Sequence, residues 1–274
     1  MTVTDASAAR LEGVWARHAV AHAEALRAAD ASWGTTWFAL ADGLVVLQGP
    51  GLYVNRALAL GLAAPVAPSH LDELERAAAF VGVAPAVDVV AATDAALVSL
   101  LPDRGYTPGG VVRVMTMCLD RVPAAAAVAG VVVRPITPDE LPVWQQVSHD
   151  AWEHTSPTAR RASDAYAAAA QATAGERLML AFATDDGRPL GCASLTIRDG
   201  MATLGGMSTL HAERGRGVQR ALVAQRIRLA LDAGCDLAAS SAVVAGTSER
   251  NLLRLGFTSQ YVKTTWTRAL MPDL

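Results

Sequence analysis

Charge is scarce in this chain, at 18% of its 274 residues, and what there is nearly cancels to a formal net charge of −3. A dedicated nucleic-acid binder would show a basic excess, and the sequence pI of about 6.1 argues against one. Cysteine is almost absent. Cys118, Cys192 and Cys235 are too far apart for a metal spacing or a disulfide framework, which points to a reducing cytoplasm and no bound metal. Long apolar runs are missing as well. The opening "MTVTDASAAR" has no basic segment leading into an apolar one, so no secretory signal is expected. The longest candidate span, "VPAAAAVAGVVV", is bracketed by Arg121 and Arg134 and falls short of a membrane-crossing length. What the chain does have is 52% hydrophobic residues, enough for a sizeable core and too many for disorder.

The Ala-rich, nearly uncharged stretch 121–130 divides the chain close to its middle and reads as a linker between residues 1–120 and 131–274. The two halves end alike, "LLPDRGYTPGGVVRVMTMCL" against "NLLRLGFTSQYVKTTWTRAL", each with Gly, an aromatic and Thr before a long strand. A domain-sized spacing between Gly105 and Gly256 supports tandem related domains. In the second half, "VVVRPIT" reads as a strand, and Thr137 with Pro138 opens a helix. "RRASDAYAAAAQAT" reads as a second helix. Three strands joined by Asp-Gly turns then form an antiparallel meander from about 178 to 210. A helix follows through about Ala233, stopped by Gly234. Its apolar stripe runs through Leu222, Val223, Ile227, Ala230 and Leu231, with Arg220, Arg226 and Arg228 read as lying largely off it. A strand, a short helix and a last strand complete an α/β layer structure over a mixed sheet. The first half repeats the pattern loosely.

Two glycines and two arginines stand where the meander turns into that helix, in "HAERGRGVQRAL" (211–222). A strand that breaks directly into a helix exposes backbone N–H groups backed by the positive end of the helix dipole. Gly215 and Gly217 let an anion approach closely, and Arg214 and Arg216 add charge, which makes a phosphate or pyrophosphate site. A nucleoside-triphosphate P-loop would need Lys and Ser/Thr after its second glycine, and neither is present. A dinucleotide fingerprint would need a third glycine where Arg220 stands, and Asp236 begins a strand instead of ending one.

The run Arg214-Gly215-Arg216-Gly217-Val218-Gln219 resembles the signature of the GNAT (GCN5-related N-acetyltransferase) superfamily, Gln/Arg-x-x-Gly-x-Gly/Ala between the fourth strand and third helix. "GGMSTLHAE" before it and Gly256-Phe257 after it are similar to the family's neighbouring segments, so the likeness covers about 130–270. It implies transfer of an acyl group from acetyl-CoA to an amine. It further implies that the edge of the fourth strand, at Met207, Ser208 and Thr209, pairs with the pantetheine arm. Backbone N–H groups from Arg214 to Gln219 would hold the pyrophosphate, and a strand N–H would polarise the thioester carbonyl. Gln219 replaces the last Gly/Ala of the signature. Leu252 stands where many members carry a general-acid Tyr, and Ala245 where an Asn often meets the cofactor. Ser248 and Asn251, three apart on one helical face, are the expected substitutes. The first half resembles the same fold without the signature, as in tandem members with a degenerate N-terminal domain, and is expected to bind no CoA.

The attacking amine must lose a proton, and the candidates are Asp150, Glu153 and His154 at a helix end, with Tyr261 on the last strand as a stand-in for the missing Tyr. Solvated helix-end residues and a packing tyrosine are the plainer alternatives. His18 and His22, four apart, have no third ligand in view and read as surface histidines. Trp144 and Trp152 read as core, Arg160 and Arg161 as a solvated face, and Asn55-Arg56 as either an interdomain contact or an ordinary loop. The acceptor implied is a small-molecule amine ahead of a protein, with no nucleic-acid or membrane partner and with a homodimer left open. Two rivals stand beside a cytoplasmic N-acetyltransferase. One is a non-catalytic CoA-binding regulator. The other is a nucleotide-dependent oxidoreductase, supported only by Asp236 and Gly217.

Overall fold

A computed structural model describes residues 5–120 and 127–270. In chain order these form α1 (Asp5–Ala29), β1 (Thr36–Leu40), β2 (Gly43–Leu47), β3 (Asn55–Leu58), α2 (Pro68–Val81), β4 (Ala86–Val90), α3 (Ala95–Asp103), β5 (Thr107–Cys118) and β6 (Val131–Pro135). There follow α4 (Leu141–Ala151), α5 (Pro157–Ala172), β7 (Glu176–Ala183), β8 (Pro189–Arg198), β9 (Met201–Thr209), α6 (Val218–Asp232), β10 (Leu237–Val243), α7 (Thr247–Arg254) and β11 (Thr258–Thr267). The expected mixed α/β architecture is what the chain adopts. Of the linker read at 121–130, residues 121–126 lie outside the described residues.

The chain folds into two compact units that do not follow a cut at 120 and 131. The first comprises Met1–Met115, Ser241–Asn251 and Ser259–Leu274, and the second Thr116–Ser240 and Leu252–Thr258. The first unit therefore borrows its last strand from the far end of the sequence. Its sheet runs β1-β2-β3-β4-β11, antiparallel except for the parallel β3–β4 pair, in which Ala57 meets Val87. α1 lays Ala16, Ala19 and Ala23 on Val46 and Leu58 of one face. α2 and α3 close the other face through Leu71, Leu74, Leu97 and Leu101. β3 went unread in the sequence, because Asn55-Arg56 has loop character. In the fold, Asn55 hydrogen-bonds the backbone of Gly49 and Leu52 and so fixes the β2–β3 turn. Arg56 pairs with the buried Asp88 at 3.2 Å.

The second unit orders its strands β6-β7-β8-β9-β10, with the predicted β7-β8-β9 meander antiparallel throughout and β9–β10 parallel. α4 and α5 cover one face, where Trp144, Val147, Ala167 and Ala170 meet Leu178, Leu180 and Cys192. α6 covers the other through Val218 and Leu222 against Met179, Ala181 and Ala193. Helix punctuation follows the sequence. Thr137 and Glu140 form a capping box before α4, and α6 ends at Gly234 in the left-handed region (φ 72°). One side chain departs from expectation here and one in the first unit. Trp144 is core at 1% exposure, but Trp152 is 55% exposed, because α4 ends at Ala151 and releases it into the turn. His22 is buried, not a surface residue.

Candidate functional site

The site is built around a fault in the meander. Ser194 pairs with Gly205 and Cys192 with Ser208, so the two residues Gly206 and Met207 on β9 oppose the single Ala193 on β8. That is a β-bulge, and Gly206 supplies the positive φ (51°) that it needs. The bulge unpairs backbone groups, and side chains answer them. Trp144 Nε1 donates to the carbonyl of Ala193 at 3.2 Å. Arg226 donates to the carbonyls of Ser194 at 2.9 Å and Gly205 at 3.2 Å, and approaches Met207 Sδ at 2.7 Å.

Ahead of the bulge, β9 already leaves its other neighbour, β10. β9 and β10 pair only at Met201–Leu237, Ala202–Ala238 and Thr203–Ala239. At the next position the Leu204 carbonyl accepts from the Ser240 hydroxyl at 2.9 Å, a side chain where a ladder bond would continue. Farther along, Leu210 N–H donates to the Leu190 carbonyl on β8. Backbone direction alternates along a strand, so Ser208 faces β8, while Met207 and Thr209 turn their N–H and C=O groups to the edge that β10 has left.

The strand then passes through a short turn at His211–Glu213 into α6. Gly215 (φ 82°) and Gly217 (φ 79°) are both left-handed. Gly217 is the N-cap, and no side chain caps the helix. A Cβ on Gly215 would have nothing within 4 Å, whereas one on Gly217 would meet Val128 at 3.0 Å. Space for a ligand thus lies over Gly215. Arg214, Arg216 and Arg220 are exposed around it, with Arg216 tied to Glu213 at 2.7 Å. Val218 is buried and Gln219 half-buried at the first turn. The turn therefore has the open backbone and positive charge that a pyrophosphate needs.

On the α4–α5 face, buried polar groups back the bulge. Tyr166 Oη lies 2.7 Å from Ser194 Oγ, and a Cβ at Gly206 would come within 3.4 Å of that Tyr166 oxygen. Burial holds the Tyr166 hydroxyl well above the usual tyrosine range, and Glu176 nearby adds to the shift. Ser148 and Ser163 share a hydrogen bond. Cys192 meets Ser208 at 3.2 Å, and burial pushes its thiol up to about 12. At the end of α4, Glu153 is exposed in a left-handed conformation (φ 54°). His154 has its pKa lowered, first by burial and then by His149 and Arg160. Its neighbour His149 stands 2.9 Å from Asp164.

The structure brings Met207, Ser208, Thr209 and the run Arg214–Gln219 together, and sets Glu153 and His154 at one helix end of the same unit. Ser248 and Asn251 lie on α7 among residues that belong to the first unit. Tyr261 also belongs to the first unit, buried, with its hydroxyl donating to Glu12 at 2.8 Å. Burial and the Glu12 charge raise its pKa, and its hydroxyl is engaged as a hydrogen-bond donor inside the first unit. Arg226 is a correction: it is fully buried, with burial lowering its pKa to about 9. Its spacing of four from Leu222 put it on the apolar stripe, but its charge suggested otherwise. Tyr166, Ser194 and Arg226 carried no motif in the sequence.

Residues 142–257 match the profile of the Acetyltransferase (GNAT) family. Among solved structures, the chain is similar to a GCN5-related N-acetyltransferase from Kribbella flavida (TM-score 0.66, 20% identity, 93% of this chain and 96% of that one). It is similar as well to a GCN5-related N-acetyltransferase from Sphaerobacter thermophilus (TM-score 0.61, 16% identity, 100% and 96%). A tandem GNAT protein from the clavulanic acid biosynthesis pathway also matches (TM-score 0.59, 18% identity, 84% and 80%). No curated protein matches the sequence. The profile covers the meander, the bulge, the glycine turn and α6, and the neighbours share the fold across nearly the whole chain. Residues 142–257 thus carry a match to the acetyltransferase (GNAT) family, on a chain that shares the fold of GCN5-related N-acetyltransferases.

Proposed function

We propose that the second unit binds acetyl-CoA along the free edge of β9 and over the β9–α6 turn, and passes the acetyl group to a primary amine in a ternary complex. The observation that carries this reading is the divergence of β9 from β10 after Thr203, which leads directly into a turn with open space over Gly215. Met207 and Thr209 offer the pantetheine amides an extra strand to pair with. The backbone from Arg214 to Gln219, with its arginines, receives the pyrophosphate. The thioester supplies an activated acyl carbon, and the amine nitrogen bonds to it as the carbon–sulfur bond breaks. A β9 N–H at the bulge, held in place by Arg226, is positioned to donate to the carbonyl oxygen as charge develops there. His154, kept neutral by burial, is a proton acceptor for the incoming ammonium. We read the acceptor as a small molecule and the compartment as the cytoplasm, where the free thiols of Cys118, Cys192 and Cys235 persist.

Calorimetric titration of acetyl-CoA into wild type, Gly215→Asn and Gly215→Asp tests the cradle. Asn and Asp tolerate the left-handed region alike and differ in charge. Gly215→Asp is expected to bind at least ~10-fold more weakly than Gly215→Asn, a difference of ~1.4 kcal/mol. No binding by wild type, or equal binding by both variants, removes the proposal.

A second reading, a non-catalytic CoA-binding protein, is favoured by Leu252 at the usual acid position and by the commitment of Tyr261 to Glu12. It predicts acetyl-CoA binding with no thiol release across a panel of primary amines.

A further inference from the structure

The first unit repeats the strand–turn–helix–strand arrangement of the site without its signature. β2 and β3 are antiparallel, a turn leads into α2, and β4 returns parallel to β3, as β8, β9, α6 and β10 do in the second unit. In the first unit the turn is already occupied. The Asp42 carboxylate, from the β1–β2 turn, accepts from four consecutive backbone N–H groups. Oδ1 takes Gly61 at 2.7 Å, and Oδ2 takes Leu62 at 2.7 Å, Ala63 at 2.5 Å and Ala64 at 3.1 Å. Nineteen to twenty-two residues separate donor and acceptor, so this is a tertiary contact and not a local turn.

Close packing seats the carboxylate. A Cβ on Gly43 would strike the Leu58 carbonyl at 2.6 Å and Leu60 Cα at 2.8 Å, so the absence of a side chain lets the Asp42-Gly43 turn press against the end of β3. Gly61 is left-handed (φ 72°), and a Cβ there would meet Val66, Asp94 and Leu97 at 3.2–3.3 Å. Its counterpart in the second unit, Gly215, opens on nothing within 4 Å. Desolvation works against the ionised Asp42 carboxylate, but hydrogen bonds from Ala63, Gly61 and Ala64 outweigh it and hold its pKa below the usual aspartate range. Consecutive N–H groups converging on a point form an anion-binding concavity, and here the protein supplies the anion.

We propose that the β3–α2 turn of the first unit is an oxyanion site whose resident ligand is the chain's own Asp42, and that the phosphate of a nucleotide is excluded from it for that reason. This stands independently of whether acetyl-CoA binds the second unit. Removal of the carboxylate converts the turn into a site for a free oxyanion, with inorganic phosphate as the probe.

Full-length wild type, Asp42→Ala and Asp42→Asn would be melted in sodium chloride and in sodium phosphate of equal ionic strength. In chloride, Asp42→Ala is expected to melt on the order of 5 °C below wild type, given four N–H groups left without their acceptor. Phosphate should recover part of that gap, with a smaller recovery in Asp42→Asn, whose amide oxygen still fills half the cradle. Stabilisation common to all three, from salt exclusion or from phosphate in the second unit, cancels in the comparison. An Asp42→Ala protein whose Tm rises in phosphate no more than that of wild type overturns the proposal. If Asp42→Ala is unfolded in chloride, refolding in phosphate supports it. Failure to refold in phosphate, with Asp42→Asn indifferent to the anion, overturns it.

Discussion

Arg226 places a guanidinium where burial lowers its pKa to about 9, with no carboxylate paired to it among the described residues. Burying a charge without a counter-ion costs several kcal/mol, and such a residue persists where its hydrogen bonds cannot be replaced. The two carbonyls it satisfies, of Ser194 and Gly205, flank the bulge. Arg226→Met should therefore destabilise the protein by about 2 kcal/mol, since two buried acceptors lose their donors while a desolvated charge is relieved. The urea midpoint should fall with an unchanged slope. His154 has a lowered pKa, from burial and then from His149 and Arg160. The unfolded chain thus takes up its proton first, at the ordinary histidine pKa of 6.5. Stability contributed by the neutral ring is present above that pH and is lost as pH falls from there through the folded value. His154→Gln should flatten the loss of stability below pH ~6.5, as read from denaturant midpoints across that range. At this scale the sequence was a partial guide. It offered His154 as a helix-end residue, but no pattern announced that Tyr261 would be bonded to Glu12 or that Arg226 would lie inside.

At the scale of elements, the meander, the N-cap at Thr137 and the glycine stop of α6 were all legible, because turn residues and caps act over three or four positions. The bulge was not. Gly205-Gly206 reads as a weak point in a strand, and only the pairing of Ser194 and Cys192 with β9 shows that one residue is extra. The prediction at this scale concerns Gly206→Ala. Its left-handed φ costs an alanine ~1–2 kcal/mol, and the new methyl would lie 3.3 Å from Ser194 Oγ and 3.4 Å from Tyr166 Oη. A loss of stability of that size is expected, measured by thermal unfolding. If the proposed acyl transfer is correct, a larger loss in kcat than in acetyl-CoA affinity should accompany it, because the bulge sets the strand edge while the turn at Gly215 remains intact. β3 was missed for a related reason: four residues with an Asn and an Arg at the front carry too little alternation to be read.

For the whole molecule, the tandem likeness and the glycine turn were visible in the sequence, but the course of the chain between units was not. Linker composition gives the place where one half ends. It does not say which strands each half will hold. β11 sits beside β4, pairing Lys263–Thr267 with Val90–Ala86. It brings Tyr261 and Lys263 to the buried Glu12, and Thr265 to the buried Asp88. A chain ending at Phe257 would retain the whole family match yet leave Glu12 and Asp88 without those partners. The first unit is expected to lose cooperative unfolding in that truncation, checked by circular dichroism during a thermal melt. The same placement bears on synthesis. A ribosome delivers residues 1–115 early, but the strand that completes their sheet emerges only after all of the second unit has been made. The first unit must wait with an unfilled edge beside β4 while its successor is translated, so the order of manufacture and the order of completion run in opposite directions.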